Sequence, residues 1–181
     1  MNSSAVNNTL RFNCHIRNDK VIILVLGQTE STSLFARHLK IVTDDQTKYA
    51  IHVTESLPLA NDSPLHNMRI DQVVCVINMS LKKSLDIVQQ SLSFMACEYF
   101  AGHQVSFVGL FDEFHKQTVT VGELANCAKT YQSPLFLTNV LQDDDLDKIA
   151  KQIWNTSKSS AGIDTSADCL NLHALGPKYF N

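Results

Sequence analysis

Short apolar runs alternate with segments of helical periodicity along most of this chain, and this alternation restricts its fold more than any other feature. The first run, Val21–Leu26 (VIILVL), is apolar throughout and ends at Gly27, which is typical of a central parallel strand covered on both faces. Further strands are predicted over Lys48–Val53, Ile70–Met79, Gln104–Leu110 and Pro134–Thr138. Because parallel strands need right-handed crossover connections, the pattern predicts an α/β fold with a mostly parallel, helix-covered sheet.

Helical segments separate these strands. A first helix is predicted over Ser31–Lys40, and a single second helix over the periodic apolar positions from Leu85 to Tyr99. Thr120 and Glu123 form a capping-box pattern that begins a third helix, and the aspartates at 143–145 suit the positive N-terminus of the last one. The predicted inward-facing residues are Leu34, Phe35, His38 and Leu39 in the first helix, Val121, Leu124, Ala125 and Ala128 in the third, and Leu146, Ile149, Ala150 and Ile153 in the last.

The alternation covers only part of the chain, which predicts three segments. Residues 1–19 are polar and are expected to form a flexible N-terminal arm, followed by the α/β domain at residues 20–157. Residues 158–181 contain a Ser/Gly-rich link and an apolar tail. Leu170, Leu172 and Leu175 in this tail have no evident place in the sandwich, so we predict that they bind a protein partner, although packing back on the domain is equally compatible with the pattern.

Ligands of open α/β sheets bind at the carboxyl ends of the strands, so the turn after the first strand is the place to look for a site. A phosphate-binding P-loop there needs Gly-x-x-x-x-Gly-Lys-Ser/Thr. In this chain Gly27 is present, but Thr32 replaces the second glycine, Ser33 the lysine and Leu34 the magnesium-binding hydroxyl, while Glu30 adds a negative charge. Losing the lysine and metal contacts costs roughly 3–6 kcal/mol of binding free energy.

A second part of a nucleotide site is also missing its chemistry. Val105–Phe114 (VSFVGLFDEF) resembles the guanine-specifying strand of Ras-like GTPases, yet Leu110, Phe111 and Glu113 replace the Asn, Lys and Asp of that motif. Asn139–Leu141 replaces the expected Ser-Ala-Lys, and no Asp-x-x-Gly precedes the third strand. The layout therefore resembles a small GTPase-like (Ras-like), P-loop-type three-layer sandwich whose nucleotide motifs are degenerate, with no cofactor and no catalytic residue expected.

The composition narrows the function classes further. A formal net charge of −3 gives no basic stripe, so direct nucleic-acid binding is not expected. The N-terminal residues are polar and no apolar run approaches the roughly 20 residues of a membrane helix, so neither a signal peptide nor a membrane span is predicted. The 5 cysteines are scattered without a Cys-x-x-Cys pair, which favours reduced thiols in a cytosolic or nuclear protein over disulfides or a metal site.

Three segments resemble one family more closely than the general GTPase layout does. Glu55–Leu59 (ESLPL), Arg69–Asn78 and Lys129–Leu135 (KTYQSPL) are similar to the centromere protein M family, and the last of these is the most specific. The similarity continues through the Leu-Asn-Leu pattern of the tail and covers most of residues 20–175, whereas the arm and Asp112–Gln117 do not align well.

The resemblance implies a small GTPase-like protein that neither binds nor hydrolyses nucleotide. It further implies a subunit of the inner kinetochore, located at the centromere of the chromosome in the nucleus, within the constitutive centromere-associated network. The implied partners are centromere protein I, as the main contact, and centromere proteins H and K. The implied role is to stabilise that subcomplex and to support attachment of the outer kinetochore.

Two other functions are compatible with an α/β fold of this size. An unconventional GTPase or ATPase with a remodelled loop would bind nucleotide measurably in the presence of Mg²⁺. A receiver-type module would need an acidic phosphorylation pocket at its strand ends, but Asn78 stands where the acid after the third strand belongs. We therefore expect a protein-binding scaffold, with the unconventional GTPase as the alternative.

Overall fold

The computed structural model describes residues 9–13, 20–43, 46–113 and 115–163. They form a five-stranded sheet in the order β2-β1-β3-β4-β5, in which every neighbouring pair is parallel. The strands are β1 (Val21–Gly27), β2 (Tyr49–Thr54), β3 (Gln72–Asn78), β4 (Val105–Phe111) and β5 (Leu135–Asn139). Helices cover both faces of the sheet, which confirms the predicted Ras-like α/β three-layer sandwich.

The helices alternate with the strands along the chain. They are α1 (Thr29–Val42), α2 (Lys82–Leu92), α3 (Glu98–Ala101), α4 (Val121–Thr130) and α5 (Asp143–Ser160), with a short 3-10 helix at Pro64–Asn67. The buried residues of α1 and α5 share one apolar cluster, and those of α2, α3 and α4 share the other. One layer therefore consists of α1 and α5 and the opposite layer of the remaining three helices.

Strand β1 is apolar at every position because it lies between these two layers. Val21, Ile23 and Val25 belong to the cluster under α1 and α5, whereas Ile22 and Leu24 belong to the opposite cluster. All five side chains are at most 1% exposed. A strand covered on one face only would alternate apolar with polar residues, so the continuous run reports burial on both sides.

Two details of the helices differ from the sequence-based expectation. The single helix predicted through Tyr99 is two helices, α2 and α3, because the chain turns at residues 93–97. Tyr99 is nonetheless fully buried, so its apolar spacing does not reveal the break. Val121, predicted to face inward, is 39% exposed at the first position of α4, and Cys127 is buried on the inner face instead.

The described part of the predicted arm, residues 9–13, lies against the domain. Leu10 is 2% exposed, its amide donates to the Phe94 carbonyl at 2.7 Å, and its carbonyl accepts from the Ala96 amide at 3.1 Å. The Phe12 ring packs edge-on against Tyr99 at a centroid distance of 5.2 Å. The sequence did not predict these contacts. The division of the chain at residues 19 and 157 stays a prediction, since residues 1–8, 14–19 and 164–181 lie outside the described residues.

Within the described ranges, none of the helices is both long enough and apolar enough to cross a membrane. The longest, α5, carries Asp143, Asp144 and Asp145 in its first turn and Lys158 in its last. These charges match the helix dipole at both ends, as predicted for its N-terminus.

Candidate functional site

The corner between β1 and α1 is the position at which a phosphate loop would lie. Strand β1 ends at Gly27 and α1 begins at Thr29, so Gln28 alone connects them. Gly27 has a φ of 143°, and a Cβ atom at this position would lie 2.2 Å from the Val76 carbonyl oxygen. The close approach of β3 therefore requires a glycine here, whether or not a phosphate is bound.

Thr32 closes the corner from the helix side. It is fully buried, its amide donates to the Gln28 carbonyl at 3.0 Å, and its hydroxyl donates to the carbonyls of Gln28 and Thr29 at 3.1 and 3.0 Å. A phosphate loop must instead keep successive backbone amides in an open ring around the phosphates. Because residues 29–32 are already helical, this corner has no such ring.

The remaining P-loop positions have the wrong charge or the wrong location. Glu30 is exposed in the first turn of α1, Ser33 is exposed, and Leu34 packs partly buried against the core. The Thr29 hydroxyl donates to the Glu55 carboxylate, which adds a second negative group next to the corner. A triphosphate here would meet two carboxylates and none of the cations or metal ligands that the motif supplies.

The base-binding positions are satisfied within the protein. Leu110 is 1% exposed in the core, and Phe111 packs half-buried against the opposite apolar cluster. The Glu113 carboxylate accepts from the Asn139 side-chain amide at 3.1 Å, and the Asn139 side-chain carbonyl accepts from the Leu141 amide at 3.0 Å. The groups that a guanine would contact therefore hydrogen-bond to each other.

A cleft of about 300 Å³ lies at the carboxyl ends of β3, β4 and β5. Its lining residues are Asn78, Ser80, Leu81, Leu110, Phe111, Asp112, His115 and Val140. His115 Nδ1 lies 2.8 Å from the Asp112 carboxylate, so the two titratable groups in this set pair with each other. The lining includes neither Lys nor Arg, and nothing in it replaces the phosphate-binding cation that the corner lacks.

The alternative reaction sites are weak as well. Asn78 ends β3, and its side-chain carbonyl accepts from the Ser80 amide at 3.0 Å, so a receiver-type carboxylate is replaced by a locally satisfied amide. Burial raises the pKa of the Cys75 thiol, which keeps it protonated at neutral pH. Over the described part of the chain, no three His, Cys, Asp or Glu side chains converge to hold a metal ion.

The sheet brings together positions that the sequence showed only separately. Gly27 pairs with Val76 on β3, and Asn78 pairs with Leu110 on β4. Both halves of the degenerate nucleotide site therefore lie at the carboxyl ends of the strands. The Asn139–Glu113 and Thr29–Glu55 contacts were not predicted, because residues 26 positions apart in each pair give no local signal. The predicted partner-binding residues Leu170, Leu172 and Leu175 lie outside the described residues.

Comparison with known proteins gives matches to a single family. The family model described as "Centromere protein M (CENP-M)" matches residues 13–178 of this chain. The chain is 26% identical to the proteins named centromere protein M of Bos taurus and of Homo sapiens, in each case over 159 residues and 84% of both chains. It is 28% identical over 153 residues to the Xenopus laevis protein of the same name, covering 83% of each.

Proposed function

The chain belongs to the centromere protein M family, and from this premise we propose that it is a non-catalytic pseudo-GTPase scaffold of the inner kinetochore. Its place would be the centromere of the chromosome, in the nucleus. Its proposed partners are centromere protein I, as the main contact, and centromere proteins H and K. The proposed role is to stabilise this subcomplex and thereby support kinetochore assembly and chromosome segregation.

The observation that carries the non-catalytic part of the proposal is the closed β1–α1 corner. One residue, Gln28, separates β1 from α1. The buried Thr32 hydroxyl hydrogen-bonds to the backbone carbonyls of Gln28 and Thr29. The loss therefore concerns the backbone shape of the phosphate loop as well as its side chains. A scaffold needs only a rigid framework and a surface, and the described domain supplies the framework.

The first test asks whether restoring the P-loop side chains is enough to create a nucleotide site. In the triple variant Thr32→Gly, Ser33→Lys and Leu34→Thr, the P-loop side chains are restored but α1 still begins directly after β1. We expect a fluorescent GTP analogue with Mg²⁺ to bind neither the natural chain nor this variant, with any affinity weaker than about 1 mM. Binding to the natural chain, or guanine nucleotide released when it is denatured, would contradict the proposal and favour the unconventional GTPase.

The second test concerns the partner surface, which we place at Leu170, Leu172 and Leu175. A few apolar residues at the centre of an interface usually contribute most of its binding energy. Leu170→Glu should therefore abolish capture of centromere protein I in a pull-down with purified proteins, while the circular dichroism spectrum and the thermal unfolding temperature stay unchanged. Leu141→Glu is the matched control, because Leu141 is 58% exposed on the domain and should tolerate the charge. Undiminished capture by Leu170→Glu would reject this assignment.

A further inference from the structure

The cleft at the carboxyl ends of β3, β4 and β5 contains more apolar surface than a polar ligand would use. Leu81 lies directly before α2, Phe111 ends β4, and Val140 follows β5. Leu110 contributes from the interior of β4, and Leu81 is 42% exposed. The volume of about 300 Å³ is at the lower end of the roughly 300–1,000 Å³ that small-ligand pockets span, so the cleft suits a small group such as one side chain.

The polar groups that line the cleft already have partners within the protein. His115 Nδ1 lies 2.8 Å from the Asp112 carboxylate, and the Asn78 side-chain carbonyl accepts from the Ser80 amide at 3.0 Å. An anionic ligand would find neither Lys nor Arg in the lining, and a neutral polar ligand would have to displace these hydrogen bonds. An apolar group needs neither, so the lining favours an apolar occupant.

Carboxylates lie on the β4 and β5 side of the cleft. Asp112 and Glu113 follow β4 directly, and Asp143–Asp145 form the first turn of α5, shortly after the lining residue Val140. The helix N-terminus contributes only about half a positive elementary charge, which does not neutralise three aspartates. Lys148 pairs with Asp145 at 2.8 Å and offsets one of them. This side of the cleft therefore carries a net negative charge.

The charges of the whole described domain are divided in the same sense, although the formal net charge of −3 does not reveal it. At the carboxyl ends of the strands, the loops and first helical turns carry more carboxylates than ammonium groups: Glu30, Glu55, Asp112, Glu113, Glu123 and Asp143–Asp145 against Lys82, Lys83 and Lys116. The opposite end carries mostly cations, which are Lys20, Lys40, Lys48, Arg69, Lys129 and Lys158. A cationic partner is therefore attracted to the end that contains the cleft.

From the apolar lining and the surrounding carboxylates we propose that this cleft binds a bulky apolar side chain, Leu or Phe, on a cationic segment of a partner protein. The apolar side chain fills the cleft and supplies most of the affinity, as central anchors of an interface usually do. Lys and Arg residues next to it face the carboxylates and select the partner by charge. The proposal goes beyond the scaffold function, because it adds a second binding surface on the domain and holds whichever partner the tail binds.

NMR titration of the full chain with short synthetic peptides tests the proposal. A peptide with a central Phe flanked on both sides by Lys and Arg should shift the amide signals of Ser80, Leu81, Asp112 and Val140, with a Kd below about 1 mM. Replacement of the Phe by Ala should weaken binding at least about tenfold. Replacement of the Lys and Arg residues by Glu should abolish it, and an increase in salt from about 50 to about 300 mM should weaken it several-fold.

A matched pair of variants locates the binding. Leu81→Lys removes an apolar group from the cleft and adds a positive charge there, so it should abolish the shifts caused by the Phe peptide. Ile41→Lys makes the same kind of change at a residue that is 62% exposed near the end of α1, at the opposite end of the domain, and it should bind the peptide like the natural protein. Both side chains are exposed, and the amide spectrum shows that each variant is folded.

Four results would overturn the proposal. The first is the absence of shifts at about 1 mM of the Phe peptide. The second is equal binding of the Phe, Ala and Glu peptides, and the third is equal binding by Leu81→Lys and the natural protein. The fourth is a set of shifts at the same amides that grows with protein concentration without any peptide, since it would show that a second copy of the chain occupies the cleft.

Discussion

Gly27 and Thr32 are the two residues of the degenerate P-loop whose contacts explain their presence without a nucleotide. Gly27 allows the Val76 carbonyl to approach, and the Thr32 hydroxyl lies within hydrogen-bonding distance of two carbonyls at the start of α1. Both residues fix the angle at which the chain leaves β1. Gly27 matches the P-loop pattern and Thr32 departs from it, yet both residues have the same structural role, which is to shape the turn from β1 into α1.

Replacement of Gly27 tests this structural role. Gly27→Ala introduces a Cβ atom 2.2 Å from the Val76 carbonyl oxygen at a backbone φ of 143°. We expect the free energy of unfolding to fall by about 3 kcal/mol, measured by urea denaturation. The control is Gly122→Ala in α4, where the nearest atom is 3.9 Å away and the free energy should stay the same or rise by up to about 1 kcal/mol. Equal effects at the two glycines would contradict the account of the corner.

At the scale of one element, α4 is held by its capping box. The Glu123 carboxylate accepts from the Thr120 amide at 2.8 Å, and the Thr120 hydroxyl accepts from the Glu123 amide at 3.2 Å. The same carboxylate pairs with the Lys82 ammonium at the start of α2. The capping box that the sequence predicted therefore also connects two neighbouring helices, and this connection depends on the charge of Glu123.

The pH dependence of stability should report that charge. The Lys82 ammonium and the Thr120 donors lower the pKa of Glu123 to about 2 from its usual 4.5. A carboxyl group with a lowered pKa stabilises the fold above its unfolded pKa, and this contribution is lost as the pH falls from 4.5 towards 2. Glu123→Gln should thus be less stable than the natural protein at pH 7, and the difference should shrink on acidification.

Urea denaturation of both proteins in steps from pH 7 to pH 3 provides the measurement. Glu98→Gln is a suitable control, because Glu98 is exposed in the first turn of the four-residue helix α3. Glu98 takes part in none of the ion pairs found among the described residues. A stability difference for Glu123→Gln that stays constant over this range would show that the carboxylate charge contributes nothing to α4.

At the scale of the whole molecule, Arg69 and Asp71 connect the centre of the sheet to the end of α5. Asp71 is fully buried, its carboxylate accepts from the Ile22 amide at 2.9 Å, and it lies 2.8 Å from the Arg69 guanidinium. Arg69 also donates to the Ser160 carbonyl. Burial raises the pKa of Asp71, while the Ile22 amide and the Arg69 charge oppose that rise. The pair therefore joins β1, the start of β3 and α5 at the amino ends of the strands.

Removal of the guanidinium should destabilise the whole domain. In Arg69→Met the buried Asp71 carboxylate loses its counter-charge, which costs about 3 kcal/mol at pH 7. Because the folded pKa of Asp71 is already raised and rises further in the variant, the stability deficit should grow from pH 4 to pH 7. Arg69→Lys, which keeps the charge, should lose less, and global urea unfolding measures all three proteins. A deficit that is independent of pH would contradict this assignment.

Much of the architecture was predictable because it depends on local patterns. The apolar run at Val21–Leu26 required cover on both faces, and the capping box at Thr120 marked the start of α4 within one residue. The inward positions Phe35, Leu39, Leu124 and Ile153 follow from helical spacing and are all buried. The break between α2 and α3 was missed because Met95 and Ala96 continue the apolar spacing through the turn, where they belong to the same apolar cluster as Leu10.

In the candidate site, too, some features follow from the local sequence and others from contacts between distant residues. The sequence by itself determined the absence of the P-loop lysine and second glycine, since Ser33 and Thr32 occupy their places and side-chain chemistry is a local property. Only the tertiary structure decided that α1 begins directly after β1, that Glu113 pairs with Asn139, and that Tyr49 on β2 packs against Trp154 on α5. These features depend on strand order and on contacts between residues far apart in the chain, which no local pattern encodes.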